Sequence, residues 1–200
     1  MSLFNFGKKK QPENPQSPAE QYLNYLNDIF QQEPRLFREE SLIEGLPGVT
    51  CIVYEDIPEA GCITAFTYGL SLAKHPNWKL GRPELCISVE SNDLAWGRVV
   101  GYLANKLRGD CPFSYGETIN FREKISDDSD MDAFFVFAPS LLDREDYTNN
   151  EIGADYKINL AGLYPMYAEE LEVFEKMGLE KFWHHPDFDA FSVSRKQITL

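Results

Sequence analysis

The sequence predicts a single α+β domain in which a mixed β-sheet packs against several helices. Hydrophobic residues make up 43% and aromatic residues 14% of the 200 residues, which is enough apolar material for one substantial core. Segments typical of strands outnumber those typical of helices, and the helices come at irregular intervals rather than after every strand. That spacing favours α+β over a doubly wound α/β fold.

Residues 1–16 are predicted to form a flexible tail ahead of the domain at residues 17–200, because this stretch is polar and contains Pro12 and Pro15. The opening MSLFNFGKKK places its basic residues after a short apolar patch, whereas a secretory signal has the opposite order. No stretch approaches the roughly eighteen consecutive apolar residues of a membrane helix. We therefore expect a cytoplasmic protein without a membrane span.

A first amphipathic helix is predicted to begin at Ser17. Ser17 can cap the helix, Pro18 suits the first helical position, and Glu20 completes a capping box. The helix is expected to end before Pro34. Its apolar residues recur at helical spacing and are Tyr22, Leu23, Leu26, Ile29 and Phe30.

Strand-like segments rich in β-branched and aromatic residues follow. Residues 50–54 and 63–68 flank Pro58 and Gly61, so a hairpin is expected there. Residues 36–45 are ambiguous between a short helix and a turn. The remaining strands are predicted at residues 84–90, 118–121, 133–137 and 156–160.

A second helix is predicted to open at residues 91–93 and to end near Gly109. Two glycines within it, Gly97 and Gly101, are either simply tolerated or allow another backbone to approach closely. A last helix is predicted at residues 169–177. Its inward side chains are expected to be Leu171, Val173 and Phe174.

The four cysteines are predicted to be reduced thiols. Cys51, Cys62 and Cys86 lie in apolar, strand-like runs, as buried free thiols would. Cys111 precedes a proline and has no histidine near it in sequence. No pair has the spacing of a metal-binding knuckle, and a disulfide framework is not expected in so long and apolar a chain.

Catalytic, metal and cofactor sites find little support in the sequence. His184 and His185 with Asp187 and Asp189 are the strongest metal candidate, yet adjacent histidines project in different directions and seldom share one ion. The acidic run at residues 127–132 lacks the glycine and the closing glutamate of a calcium loop. No nucleophile elbow and no phosphate-binding loop occur. We expect no cofactor and no enzymatic activity.

The formal net charge is −13 at pH 7. Such an acidic surface repels phosphate backbones, so nucleic-acid binding is not expected. The charge has two readings, which stay open here. It either favours a basic protein partner or simply keeps the protein soluble.

Four aromatic, proline and glycine blocks in the second half carry a family resemblance: CPFSYGETINF, MDAFFVFAPS, INLAGLYPMY and GLEKFWHHP. Within them, Pro112 with Gly116, and Gly162 with Pro165, bracket aromatic turns. In this order and spacing the blocks resemble the suppressor-of-fused (SUFU) domain family, over about residues 49–192. The resemblance implies one α+β domain that binds other proteins. Bacterial members look like immunity proteins that neutralise toxins, and the animal relative restrains a transcription factor.

The resemblance and the charge together predict a bacterial-type immunity protein that binds a basic toxin domain. The chain is too short for both domains of the animal relative, which favours the bacterial setting. The alternatives are a regulatory interaction domain with no toxin partner and, from another class, a metal-dependent hydrolase around His184 and His185. The expected partner contacts are acidic residues, chosen from charge alone: Asp127, Asp128, Asp130, Asp132, Asp143, Glu145 and Asp146.

Overall fold

The computed structural model describes residues 16–78 and 81–200. The tail predicted at residues 1–16 lies outside the described residues, apart from Gln16. The helices are α1 (Pro18–Phe30), α2 (Ala95–Leu107), α3 (Arg144–Tyr147), α4 (Glu170–Met177) and α5 (Leu179–Trp183). The strands are β1 (Arg35–Glu39), β2 (Val49–Glu55), β3 (Cys62–Tyr68), β4 (Arg82–Glu90), β5 (Thr118–Asn120), β6 (Ala133–Phe137), β7 (Asn150–Glu151) and β8 (Lys157–Met166).

All described strands belong to one sheet with the order β1-β2-β3-β4-β8-β6-β5, and β7 pairs with the start of β8. Strands β1 to β4 form an antiparallel meander, which includes the predicted hairpin between β2 and β3. β4 and β8 are parallel, and β8, β6 and β5 are again antiparallel. The predicted α+β fold with a mixed sheet is therefore confirmed.

Helices cover both faces of the sheet. On one face α2 packs over the meander, and Val53, Ala65 and Ile87 belong to that core. On the other face α1 covers a second cluster that includes Ile52 and Phe66. Helices α4 and α5 cover a third cluster, which shares this face because β8 supplies alternate residues to each side. Ile158 and Leu160 join the α1 cluster, Ala161 and Leu163 the α2 cluster, and Tyr164 and Met166 the α4–α5 cluster.

The two glycines of α2 fit the close approach of this helix to the sheet. A Cβ atom on Gly97 would lie 3.0 Å from Val53 Cγ2, and one on Gly101 would lie 3.1 Å from Cys51 Cβ. The Cys51 thiol donates a hydrogen bond to the Gly97 carbonyl at 2.7 Å. This packing supports the alternative in which the glycines allow α2 to approach the sheet closely, rather than the one in which they are simply tolerated in the helix.

Helix α1 begins with the predicted capping box. The Glu20 N–H donates to Ser17 Oγ at 3.3 Å, and the Ser17 N–H donates to Glu20 Oε2 at 2.7 Å. Tyr22 and Leu26 are fully buried against the sheet. The capping box sets where the chain enters α1, and the buried stripe fixes the face that α1 presents to the sheet.

Two strands differ from the sequence expectations. Strand β1 takes up the first part of residues 36–45 and ends at Glu39, whereas the expected turn is present only later, at Glu44 and Gly45. Gly162 and Pro165 do not bracket a turn, because both lie inside the long strand β8. Proline is tolerated there since β4 pairs with β8 only as far as Gly162, which leaves the Pro165 side of β8 without a β4 partner.

The last helices bury a charged side chain that the apolar pattern did not indicate. On α4, Phe174 is buried as predicted, whereas Leu171 and Val173 are half-buried. Glu170 is instead fully buried and is paired with Arg195 of the C-terminal segment.

All four cysteines are free, and Cys51, Cys62 and Cys86 are buried as predicted. Within residues 16–78 and 81–200, none of the helices is long and apolar enough to cross a membrane.

Candidate functional site

The histidine pair considered as a metal candidate lies at the end of α5. His185 and the nearby Asp189 accept hydrogen bonds within the turns that follow this helix. His184 is exposed. His185 Nδ1 accepts a hydrogen bond from the Asp187 N–H at 3.2 Å, and Asp189 Oδ1 accepts from the Phe191 N–H at 2.9 Å. Across the residues that the structure describes, no group of three or more histidines, cysteines or carboxylates could hold a metal ion.

Cys111 lacks the features of an activated nucleophile. Its side chain is half-buried, and this burial raises the pKa of the thiol. A raised pKa reduces the thiolate fraction that nucleophilic catalysis would need. The cysteine therefore offers no support for covalent chemistry.

The acidic segment at residues 127–132 divides into inward and outward carboxylates. Asp128 accepts hydrogen bonds from Ser91 Oγ and, at 3.0 Å, from Trp96 Nε1 of α2. Partial burial opposes ionisation of Asp128, but hydrogen bonds to the carboxylate outweigh it and lower the pKa. Asp132 Oδ1 accepts from the Ala168 N–H at 2.8 Å. Asp127, Asp128 and Asp130 are all exposed residues, and Asp128 differs in that Ser91 and Trp96 donate hydrogen bonds to its carboxylate.

The second acidic segment forms α3 and the residue before it. Asp143 precedes the helix and is exposed, as is Glu145. Asp146 is half-buried, and its carbonyl accepts a hydrogen bond from the Tyr25 hydroxyl of α1 at 2.6 Å. This contact fixes α3 against the α1 side of the sheet.

The structure does not bring the two acidic segments together. The first is tied to α2 through Asp128, and the second to α1 through Asp146, and these helices cover opposite faces of the sheet. The segments also precede and follow β6, so they lie at opposite ends of that strand. The seven predicted contact residues therefore form two separate acidic surfaces.

The predicted turn at residues 112–117 presents one aromatic inward and one outward. Phe113 is buried, and the Glu117 N–H closes the turn onto the Ser114 carbonyl at 3.0 Å. Gly116 takes a positive φ of 90° that other residues rarely adopt. Tyr115 remains 50% exposed, so the turn holds a large aromatic side chain at the surface.

Tyr115 is one end of an aromatic ridge that continues over the C-terminal end of β6. Its ring centroid lies 5.4 Å from that of Phe137, and the Phe137 centroid lies 4.8 Å from that of Trp183 on α5. Phe137 and Trp183 are half-buried. Half-buried aromatic side chains on a rigid support are enriched at the centres of protein interfaces.

An open groove of about 680 Å³ borders the same tyrosine. The turn at residues 112–115 forms one wall, held in place by a hydrogen bond of 3.1 Å from Trp78 Nε1 to the Pro112 carbonyl. Arg144 and Thr148 of the α3 region and Leu160 of β8 also line the groove. The groove is thus placed between the aromatic ridge and the second acidic segment. Sequence reasoning found the turn but missed Trp78 and the groove, whose walls come from segments far apart in the chain.

Several solved structures share this fold, among them the following three. A SUFU homolog from Neisseria gonorrhoeae has a TM-score of 0.63 at 16% identity, covering 88% of this chain and 94% of that chain. The structure of Drosophila Suppressor of Fused has a TM-score of 0.63 at 12% identity, covering 94% of this chain and 53% of the other. A structure described as the Sufu–Fu complex has a TM-score of 0.54 at 12% identity, covering 92% of this chain and 93% of that chain. At these identities the likeness concerns the fold alone.

The sequence adds a family assignment to the fold. No match to the chain is found among curated proteins. The family model described as suppressor of fused protein (SUFU) matches residues 45–196. This range includes all strands from β2 onwards, the turn at residues 112–117 and the aromatic ridge. The chain belongs to the suppressor of fused (SUFU) family.

Proposed function

We propose that this chain is a non-enzymatic domain that binds a protein partner. The observation that carries the proposal is the aromatic ridge of Tyr115, Phe137 and Trp183 beside an open groove. Aromatic side chains contribute strongly to binding because they bury a large area at a small cost in rotamer entropy. The fold family supports the proposal, since one structure with the same fold is described as the Sufu–Fu complex.

Charge favours a basic partner. The formal charge of −13 speeds the encounter with a positively charged protein, and the apolar ridge then slows its dissociation. Of the seven predicted contacts, the four with exposed, outward side chains are the ones we propose for this role: Asp127, Asp130, Asp143 and Glu145. The carboxylates of Asp128 and Asp132 instead receive hydrogen bonds within the fold.

A toxin domain neutralised by an immunity protein is the narrower form of this proposal, and net charge is the observation that favours it. A regulatory interaction domain without a toxin partner is the alternative. We place the domain in the cytoplasm, because free, buried thiols suit a reducing compartment. A bacterial host is favoured by the likeness to a Neisseria gonorrhoeae SUFU homolog, which this chain covers over 94% of its length. Genes that neighbour the coding sequence distinguish the two roles, since an immunity gene stands beside a toxin gene.

The test is to capture partners from native cells with the tagged full-length chain. The captured complexes are washed at low or at high salt, and the retained proteins are identified by mass spectrometry. We expect a basic partner whose retention falls as salt rises, because exposed charge pairs are screened. An acidic partner, or retention independent of salt, would contradict the electrostatic part. Failure to capture any protein with the wild-type chain would contradict the binding role itself.

A set of variants locates the contact surface with the captured partner. Tyr115→Ser is expected to raise Kd at least about tenfold, as for a central aromatic contact. Asp143→Ser with Glu145→Ser removes two charges beside the groove. Asp127→Ser with Asp130→Ser removes the same charge from the opposite face and is the matched control. We expect the first pair to slow association more than the second, and equal effects would contradict a site at the groove.

A further inference from the structure

Strand β1 forms an exposed edge of the sheet. It pairs with β2 on one side, and no other strand of the described chain pairs with its outer side. An edge strand presents unpaired backbone N–H and C=O groups that can take up another strand. Leu36, the second residue of this strand, is 45% exposed. The edge therefore combines available backbone groups with an exposed apolar side chain.

The sequence of β1, RLFRE, is complementary to itself in the antiparallel direction. If two copies of β1 pair antiparallel with their Phe37 residues opposite each other, Arg35 of each copy faces Glu39 of the other. Two opposite-charge pairs then flank one aromatic pair, and each of these cross-strand pairs is favourable.

The complementary side chains lie on one face of the sheet. The Arg35 guanidinium lies 5.4 Å from the Phe37 ring centroid, and a Glu39 oxygen lies 3.7 Å from Arg98 of α2. Residues two apart in a strand share a face, so Arg35, Phe37 and Glu39 all stand on the α2 side. Arg35 now pairs with Glu55 of β2, but both side chains are about half exposed, so this pair can rearrange.

We propose that two copies of this chain associate through their β1 edges, in an antiparallel pair with two-fold symmetry centred on Phe37. Such a contact is isologous and joins the two sheets into one continuous sheet. One short strand from each copy gives a small interface, so the association is weak and depends on concentration. It lies away from the groove beside Tyr115 and does not depend on the proposed partner.

The test is sedimentation equilibrium of the full-length chain from micromolar to millimolar concentration at about 0.15 M salt. The wild-type mass is expected to rise from that of one 23.0 kDa chain toward twice that value. Arg35→Glu places glutamate opposite glutamate at both ends of the pair, and Glu39→Arg places arginine opposite arginine. Each variant alone is expected to remain monomeric over the same range.

Mixing the two variants separates a charge effect from damage to the fold. In the mixture every glutamate of one chain faces an arginine of the other, so a heterodimer is expected although neither variant dimerises alone. Glu55→Gln removes the present partner of Arg35 without changing β1, and it is expected to dimerise as the wild type does. A monomeric wild type, or dimers that persist in both single variants, would overturn the proposal, as would a mixture that stays monomeric.

Discussion

Two glutamates of this domain are both fully buried, yet the protein surrounds them differently. Glu170 on α4 receives two hydrogen bonds from Arg195, at 2.6 and 2.7 Å, and one from the Ile198 N–H at 2.6 Å. Glu84 on β4 is held by neutral donors. These donors are the Thr67 hydroxyl at 2.7 Å and the backbone N–H groups of Gly69 at 2.8 Å, Leu70 at 3.3 Å and Ser71 at 3.0 Å.

The difference shows how a buried carboxylate can be accommodated with or without a cation in contact. Burial raises the pKa of Glu84, and the hydrogen bonds from its neutral donors only partly oppose that shift. Arg108, a buried cation that interacts electrostatically with Glu84, donates its hydrogen bonds to the Gly69 carbonyl at 3.1 Å and to Ser41 Oγ at 2.5 Å rather than to Glu84. Glu170 instead shares a direct ion pair, so its loss would leave a charge buried without its counter-ion, whereas the loss of Glu84 would leave neutral hydrogen-bond donors without their acceptor and would weaken a longer-range attraction to Arg108.

The largest effect is expected from Glu170→Gln, because it leaves the Arg195 charge buried without its counter-ion. Removing one partner of a buried pair costs about 3–5 kcal/mol of unfolding free energy. Urea unfolding at neutral pH measures it. The double variant Glu170→Gln with Arg195→Met removes both charges and is expected to lose less than the two single variants together. A single-variant loss under about 1 kcal/mol would show that the pair contributes little.

A smaller effect is expected from Glu84→Gln, about 1–3 kcal/mol, since an amide nitrogen replaces one acceptor oxygen facing the N–H groups of Gly69 and Ser71. The effect depends on pH. A carboxyl whose pKa is raised in the folded state makes its full contribution to folding stability at a pH below its ordinary pKa of 4.5. That contribution declines as the pH rises through the pKa of the folded state. The stability advantage of the wild type is therefore expected to be larger near about pH 5 than near about pH 8. Unfolding curves of both proteins across that range check the sign, and an advantage that grows with pH would contradict it.

The smallest effect is expected from Glu172→Gln, which lies on the same helix as Glu170 and pairs with Lys176 at 3.6 Å. The side chains of this pair are 84% and 60% exposed, so water screens their attraction. The change in unfolding free energy is expected to stay within about 0.5 kcal/mol. A loss comparable to that of Glu170→Gln would mean that position on α4, not burial of the charge, governs both results.

Local signals in the sequence were enough to predict much of the fold. The capping box at Ser17 and the hairpin between β2 and β3 follow from residues that are close together in sequence. Strand β1 was missed because RLFRE has an exposed, charged pattern with no apolar alternation. Strand β8 was cut short because Gly162 and Pro165 usually end strands, and their tolerance depends on where β4 stops pairing.

The candidate site was predicted less completely, for a physical reason. The turn that carries Tyr115 follows from Pro112 and Gly116, whereas the groove beside it needs segments that only the folded sheet brings together. In the sequence, Asp128 and Asp132 look the same as the other acidic residues around them. In the fold, Trp96 donates a hydrogen bond to the carboxylate of Asp128, and the Ala168 N–H donates one to that of Asp132. Tertiary contacts decide whether a carboxylate faces solvent, and the amino-acid composition alone does not reveal this.

The parallel pair of β4 and β8 has a consequence for how the domain folds. Strands β1 to β4 follow one another along the chain, so hairpins can form early with short loops to close. The sheet is complete only when β8 reaches β4 across the long connection from Glu90 to Lys157, and the entropy of closing that loop must be lost before its contacts form. The helix α2 lies within this connection and packs on the meander, which shortens the distance that the chain must search. We therefore expect the second half of the sheet to dock onto a first half that has already formed.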